Sequence, residues 1–212
     1  MPRERSLISA MMRRLHAPIY ACRLRELVRQ IAPHLEVGDR VLDVGCGFGA
    51  LGRAIMDSDA CPRDCKVVGL EPVKREGSLI QVDTYNGRTM PYDDGAFDVI
   101  ILADVLHHED DPHQLLAEST RVAKRLLIIK DHKLQGPLAQ QRIALIDWAA
   151  NAPYNVPCLY RYNTLQQWGE WHQRHHLSIE RELPTMKLYP PIVNLLFGRR
   201  LQYMAVLRVD RC

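Results

Sequence analysis

The stretch Val41-Leu42-Asp43-Val44-Gly45-Cys46-Gly47-Phe48-Gly49 constrains this chain more than any other. Apolar residues that include the β-branched Val41 and Val44 predict a buried parallel strand, with an acidic residue near its C-terminal end. Three glycines at alternate positions follow, and then a helix-like run from Ala50 to Met56. Glycine lets a backbone turn sharply and approach a ligand without a Cβ in between. A strand, a glycine turn and a helix are the parts with which an open α/β sheet holds a nucleotide.

Two readings of the nucleotide compete. Gly47-Phe48-Gly49-Ala50-Leu51-Gly52 is a literal G-x-G-x-x-G, the fingerprint of dinucleotide enzymes, so a nicotinamide-dependent oxidoreductase is one of them. Asp43 separates the two, because a carboxylate aimed at a pyrophosphate repels it, whereas the amino and sulfonium groups of S-adenosylmethionine (SAM) welcome it. The run from Asp43 to Gly49 resembles the first motif of class I SAM-dependent methyltransferases, in the branch that acts on small molecules.

The resemblance continues down the chain in order. Val67-Val68-Gly69-Leu70-Glu71 is similar to the family's second strand, which ends on an acidic residue. Tyr85 to Asp98 resembles its adenine-side segment. Phe97 to His108, followed by Glu109-Asp110-Asp111-Pro112, is similar to its fourth strand and the loop beyond. The fold this implies is α/β: a Rossmann-like, doubly wound, seven-stranded sheet, mostly parallel, with an antiparallel last strand. The resemblance also implies a cofactor set of Asp43, Gly45, Cys46, Gly47, Gly49, Glu71, Pro72, Asn86, Gly87, Asp104 and Val105. In it Asp43 faces the methionine end of SAM, Glu71 holds the ribose and Asn86 lies near adenine.

Elsewhere the reading rests on the residues. Only Pro72 to Gly77 separate Glu71 from the apolar run Ser78–Val82, too few for the usual crossover helix. The third strand is therefore expected to be short or irregular, with no full helix before it. Leu24, Leu27 and Ile31 mark one helical face, ended by Pro33. Helices are expected over 113–122 and 137–148, and a further one capped by Asn163. Arg125–Lys130 reads as the fifth strand, with Asp131 and His132 at its exit. Leu177–Leu183 reads as a half-buried strand and Leu201–Val209, with no helix expected between them, as its antiparallel neighbour.

Ligands of open α/β sheets sit beyond the carboxyl ends of the strands. His107, Asp131 and His132 are therefore the catalytic candidates, and the two histidines are the candidate bases, because imidazole titrates near neutrality. Tyr154, Tyr160, Tyr162, Trp168 and Trp171 are candidates for an acceptor pocket or for the core. Cys61 and Cys65 have near-metal spacing without a second pair, and His172, His175 and His176 share a helical face; no metal is expected.

Composition bounds the rest. At 212 residues one domain is expected: 1–35 as a helical lid, 36–132 as the cofactor half and 133–212 as the acceptor half. A net charge of +3 gives no call for nucleic acid, and no apolar run is long enough to span a bilayer. The basic N-terminus lacks the apolar core of a secretory signal, and the six cysteines show no disulfide framework, so the expected compartment is the cytoplasm. The expected activity is methyl transfer from SAM to a small-molecule acceptor; the other readings are the oxidoreductase and a non-catalytic SAM-binding module.

Overall fold

A computed structural model describes residues 18–73, 75–151 and 158–210. The basic segment 3–14, with its four arginines and its apolar residues, lies outside the described residues, as do Tyr154 and Cys212. Helix α1 covers residues 18–31 and passes through a 3-10 turn, Ala32–His34, toward β1 (Arg40–Val44). Then follow α2 (Ala50–Met56), β2 (Lys66–Glu71), β3 (Val82–Thr84), β4 (Phe97–Ala103), a 3-10 turn at Leu106–His108, α3 (Pro112–Val122) and β5 (Ala123–His132). The last third holds α4 (Ala139–Asn151), α5 (Leu165–Arg174), β6 (Leu177–Glu182), α6 (Pro191–Phe197) and β7 (Gln202–Val209), so a helix, not expected from the sequence, lies between the last two strands.

The seven strands lie in the order β3-β2-β1-β4-β5-β7-β6. β1 to β5 are parallel, and β7 runs antiparallel to both β5 and β6. Both faces of the central strands are covered, which is why they read as continuous apolar runs. Leu42, Val44, Ile100, Leu102, Leu127 and Ile129 pack toward Leu115, Leu116 and Trp168 of α3 and α5. Their neighbours Val41, Val99, Ile101, Leu126 and Ile128 pack the other way, toward Leu27 and Ile31 of α1 and Leu51 and Ile55 of α2. Trp168 stacks on Tyr203 of β7 with ring centroids 4.5 Å apart and donates its indole N–H to the His132 carbonyl at 3.1 Å.

Several expectations needed correction. The third strand is Val82–Thr84, not Ser78–Val82, because Ile80 is drawn off to fill the corner beside Gly49, Gly52 and Val67. As expected, no helix fills the short crossover among its described residues. β5 extends to His132, since β7 pairs with it as far as Gln202, so Asp131 and His132 are strand residues. Thr164, not Asn163, caps α5 and forms a reciprocal capping box with Gln167. Only Leu177 of β6 is buried, because β6 is an edge strand whose outer side meets no further layer.

Candidate active site

The turn after β1 is shaped by its glycines. Gly45 has φ +68°, and a Cβ there would come within 2.5 Å of Val105 Cγ2, so the turn after β4 is packed directly against the turn after β1. Gly47, at φ +61°, has open space where a Cβ would stand, and its N–H donates to Glu71 Oε1 at the end of β2. Glu71 is buried, and burial raises its pKa against the pull of the Gly47 N–H and Arg75. Cys46 lies between two carboxylates; burial first, then Asp43 and Glu71, push its thiol up to about 12, so it stays protonated.

Asp43 is 2% exposed, and its Oδ2 is buried with no hydrogen-bond partner. Desolvation pushes its pKa up to about 7; Arg23 works against this and Glu71 adds to it. An unpartnered buried carboxylate oxygen is costly unless a cation or donor arrives. SAM brings an ammonium and a sulfonium, so Asp43 fits it and would oppose a diphosphate. Glu71 is placed as a ribose-binding acid would be. Of the other residues in the expected cofactor set, Pro72 is exposed just after β2 and Gly87 turns with φ +77°. Asn86 is exposed, and its Oδ1 accepts the N–H groups of Arg88 and Thr89 at 2.9 and 2.8 Å, so that oxygen is spent on the turn.

Asp104 has left-handed backbone geometry, φ +59°, and holds a half-buried ion-pair cluster. Its Oδ1 takes Lys130 of β5 and its Oδ2 takes Arg23 of α1 at 2.8 Å. Burial alone would raise this carboxyl; the two cations outweigh it and hold the pKa well below the usual range. Arg23 was visible in sequence only as one of many arginines on a helix, and Lys130 only as a strand end.

His107, Asp131 and His132 come together, as expected of neighbours at the carboxyl ends of β4 and β5, with the rings of His107 and His132 5.1 Å apart. Their charges differ. His107 Nδ1 lies 2.7 Å from Asp131 Oδ1, and its Nε2 lies 3.5 Å from Asp147 Oδ1. Burial opposes a charge there, but the two carboxylates overcome it and lift the pKa to about 10. His107 is therefore an imidazolium at neutral pH and has no lone pair to offer as a base. His132 goes the other way: burial, with Lys130 nearby, lowers it to about 4, and its Nδ1 has no partner. Asp147, which the sequence reading missed, anchors this corner by accepting from Tyr162 Oη and Asn151 Nδ2, each at 2.7 Å. A signal existed: with Ala139 and Ile143 it falls on the buried side of α4, an acid at a core position.

A cavity of about 180 Å³ opens beside this network, lined by His107, Glu109, Asp131, Tyr162, Trp168 and Trp171 among others. Three of the five aromatic candidates thus reach it; Tyr160 is exposed elsewhere. Two side-chain groups, Asp104/His107/His132 and His107/His108/Asp147, hold three ligand atoms each within 4.8 Å. Lys130 and Arg23 already charge the first, and in the second His107 is committed to two carboxylates. Neither Cys61 nor Cys65 belongs to such a group among the described residues, and both pack into the core. The three late histidines separate: His172 meets Tyr203 Oη at 3.1 Å, His175 meets His113 at 3.1 Å, and His176 lies beyond α5.

Comparison with known proteins agrees with this geometry. A model of the methyltransferase domain matches residues 15–177. Sarcosine/dimethylglycine N-methyltransferase of Halorhodospira halochloris is 31% identical over 48% of this chain and 38% of its own length, so the chain spans well under half of that relative. Among solved structures, the 1,6-didemethyltoxoflavin-N1-methyltransferase of Burkholderia thailandensis, with bound 1,6-didemethyltoxoflavin and S-adenosylhomocysteine, superposes with a TM-score of 0.64 at 14% identity, covering 100% of this chain and 91% of its own. A SAM-dependent methyltransferase from Aquifex aeolicus gives 0.59 at 18%, over 95% and 98%. Matched by the family model over more than half its length, and with a glycine turn and acids suited to SAM, the chain belongs to the class I SAM-dependent methyltransferases.

Proposed function

We propose that this protein transfers the methyl group of SAM to a small-molecule acceptor held in the cavity beside His107. Asp43 receives the methionine end, Gly45, Cys46, Gly47 and Gly49 form the floor, and Glu71 takes the ribose hydroxyls. Pro72, Asn86 and Gly87 border the adenine, and Asp104 and Val105 close the turn after β4. The chain works as one domain, with 36–132 as donor half and 133–212 as acceptor half; of the 1–35 segment expected as a lid, the described helix α1 instead packs on the sheet and reaches the site through Arg23. The observation that carries the reading is the buried, unpartnered Asp43 Oδ2 beside an open glycine turn. A cytoplasmic setting accords with the lack of any disulfide among the described residues.

SAM supplies an already activated methyl carbon. The protein's share is to hold the nucleophile in line and keep water out, and orientation of this kind is worth roughly 7–11 kcal/mol. Within the acceptor class we favour an amine nitrogen. The cavity sets two acids, Glu109 and Asp131, against two cations, His107 and Arg161; Asp131 is spent on His107, which leaves Glu109 as the acid that shares the cavity with the aromatic wall of Trp171, a place an amine can occupy. Glu109 is half-buried, and burial, Asp110 and Glu71 raise its pKa, which suits it to take the proton an amine must lose before attack. The relative from Halorhodospira halochloris and the Burkholderia thailandensis enzyme are both named as N-methyltransferases. In this arrangement Asp131 holds His107 as a fixed cation, and His132 stays neutral.

Calorimetric titration with SAM and with NAD(H) tests the donor: tight NAD(H) binding with none for SAM restores the oxidoreductase. Labelled SAM offered to amines, phenols and thiols tests the acceptor. Glu109→Gln is expected to lower kcat/KM for an amine by about a hundredfold while leaving SAM affinity in place. Binding of SAM without transfer to any acceptor favours the non-catalytic module.

A further inference from the structure

Helix α4 has two sides. Ala139, Ile143 and Asp147, at four-residue steps, are buried. Leu145 and Trp148, with Leu138 at the helix entry, point away from them and are exposed. α6 buries only Asn194 and exposes Ile192, Leu195 and Leu196. The two helices pack against each other, and the Arg142 guanidinium of α4 donates to the Leu196 carbonyl of α6. Six large apolar side chains, each between 51% and 79% exposed, therefore lie on two helices that touch. A patch of this kind marks an interaction surface.

Its surroundings are basic. From 134 to 151 the one acidic residue is Asp147, which is buried, and from 183 to 209 there is none. Lys187, Arg199 and Arg200 flank α6 and are all exposed. Apolar side chains with a tryptophan among them, rimmed by lysine and arginine and free of acids, match the interface of an anionic bilayer. Six exposed apolar side chains with Lys187, Arg199 and Arg200 fall well below the roughly 20–30 residues a side that a stable protein interface uses. No helix among the described residues is long and apolar enough to cross a membrane, so the contact would be a surface one.

We propose that the α4–α6 face docks this protein onto an anionic lipid surface. Trp148, Ile192, Leu195 and Leu196 enter the headgroup layer, and Arg199 and Arg200 meet the phosphates. Asp147, adjacent in sequence to Trp148, reaches inward toward His107 from the same helix, so the acceptor side and not the glycine turn lies next to the bilayer. The inference does not depend on what the acceptor is.

Co-sedimentation of the full chain with vesicles of phosphatidylcholine and phosphatidylglycerol, against phosphatidylcholine alone, tests it. Binding to the anionic vesicles is expected, with a drop of at least about tenfold in both I192D/L195D and R199E/R200E. SAM titration of the same variants is expected to match the parent, which separates lost docking from lost folding or lost donor binding. A parent protein that stays in the supernatant with anionic vesicles overturns the proposal. So does vesicle binding that ignores both pairs of substitutions. A parent dimer that I192D/L195D converts to monomer assigns the face to a second copy instead, and overturns it as well.

Discussion

Around the glycine turn, backbone does most of the holding; around His107, side chains do. The donor side is built within a few residues of chain: Gly45 presses on Val105, the Gly47 N–H meets Glu71, and Asp43 Oδ2 is left without a partner. The acceptor side ties β5, α4 and the 3-10 turn after β4 together through His107, Asp131, Asp147, Asn151 and Tyr162, and leaves Asp131 Oδ2 and His132 Nδ1 buried without a hydrogen-bond partner. Asp131 answers its charge with His107 at 2.7 Å, whereas Asp43 forms no ion pair among the described residues. A carboxylate left without an ion pair suits a site that must bind a cation, whereas a wall that must hold its shape pairs its charges.

The largest expected effect is at the turn itself. Gly45→Ala must place a Cβ against Val105 in left-handed backbone, at a cost of about 2 kcal/mol or more. SAM affinity should collapse, as read by calorimetry, and the denaturation midpoint should fall. Retained affinity would mean that the two turns are not rigidly packed.

Next comes the bridge between the regions. Arg23→Met leaves half-buried Asp104 to Lys130, and losing a hydrogen-bonded charge there costs about 1.5 kcal/mol, measurable by urea unfolding. A loss under about 1 kcal/mol would show the pair to be poorly desolvated.

Asp43→Asn tests the donor side's unmet charge. Losing a hydrogen bond to a charged group should weaken SAM by about tenfold or more. It should also flatten one component of the pH dependence. Folded Asp43 titrates near 7, against 3.8 in the reference state, so the native chain holds an extra proton between those values. Its contribution is most favourable below that window and is lost as pH rises through it, with Arg23, Glu71 and Cys46 as the charged and titratable neighbours. Urea curves for parent and variant across pH 4–8 should differ by that slope. Binding of SAM, which favours the carboxylate, should release protons near neutrality, as calorimetry in buffers of different ionisation enthalpy would record. Parallel curves would mean that Asp43 is not the group.

The smallest effect is expected at Asn86→Ala. Two turn hydrogen bonds go, worth about 1 kcal/mol of stability, with a change in SAM affinity of roughly threefold. A larger loss of affinity at unchanged stability would bring the Asn86 amide to the adenine.

The succession of strands along the chain, the glycine turn and the two acids Asp43 and Glu71 were legible in the sequence, because each is carried by neighbouring residues, whereas the order of the strands across the sheet was not. An apolar strand beside a Gly-rich turn has few alternatives, and a carboxylate at its end states the charge of the ligand it tolerates. Local patterns were less reliable where a distant element competes for the same residues. Ile80 looked like strand and was needed in a corner, and His132 looked like loop and was claimed by β7.

The sequence by itself determined the parallel sheet, its antiparallel end and the preference for a cationic donor, since periodicity and glycine spacing act over a few residues. Only the tertiary structure decided the protonation of the two histidines. Both carry the same side chain, but His107 is folded between two carboxylates and His132 beside Lys130. It also decided that Arg23 reaches Asp104 across 81 positions of chain. Burial and charge proximity depend on distance in space, and no window of sequence contains them.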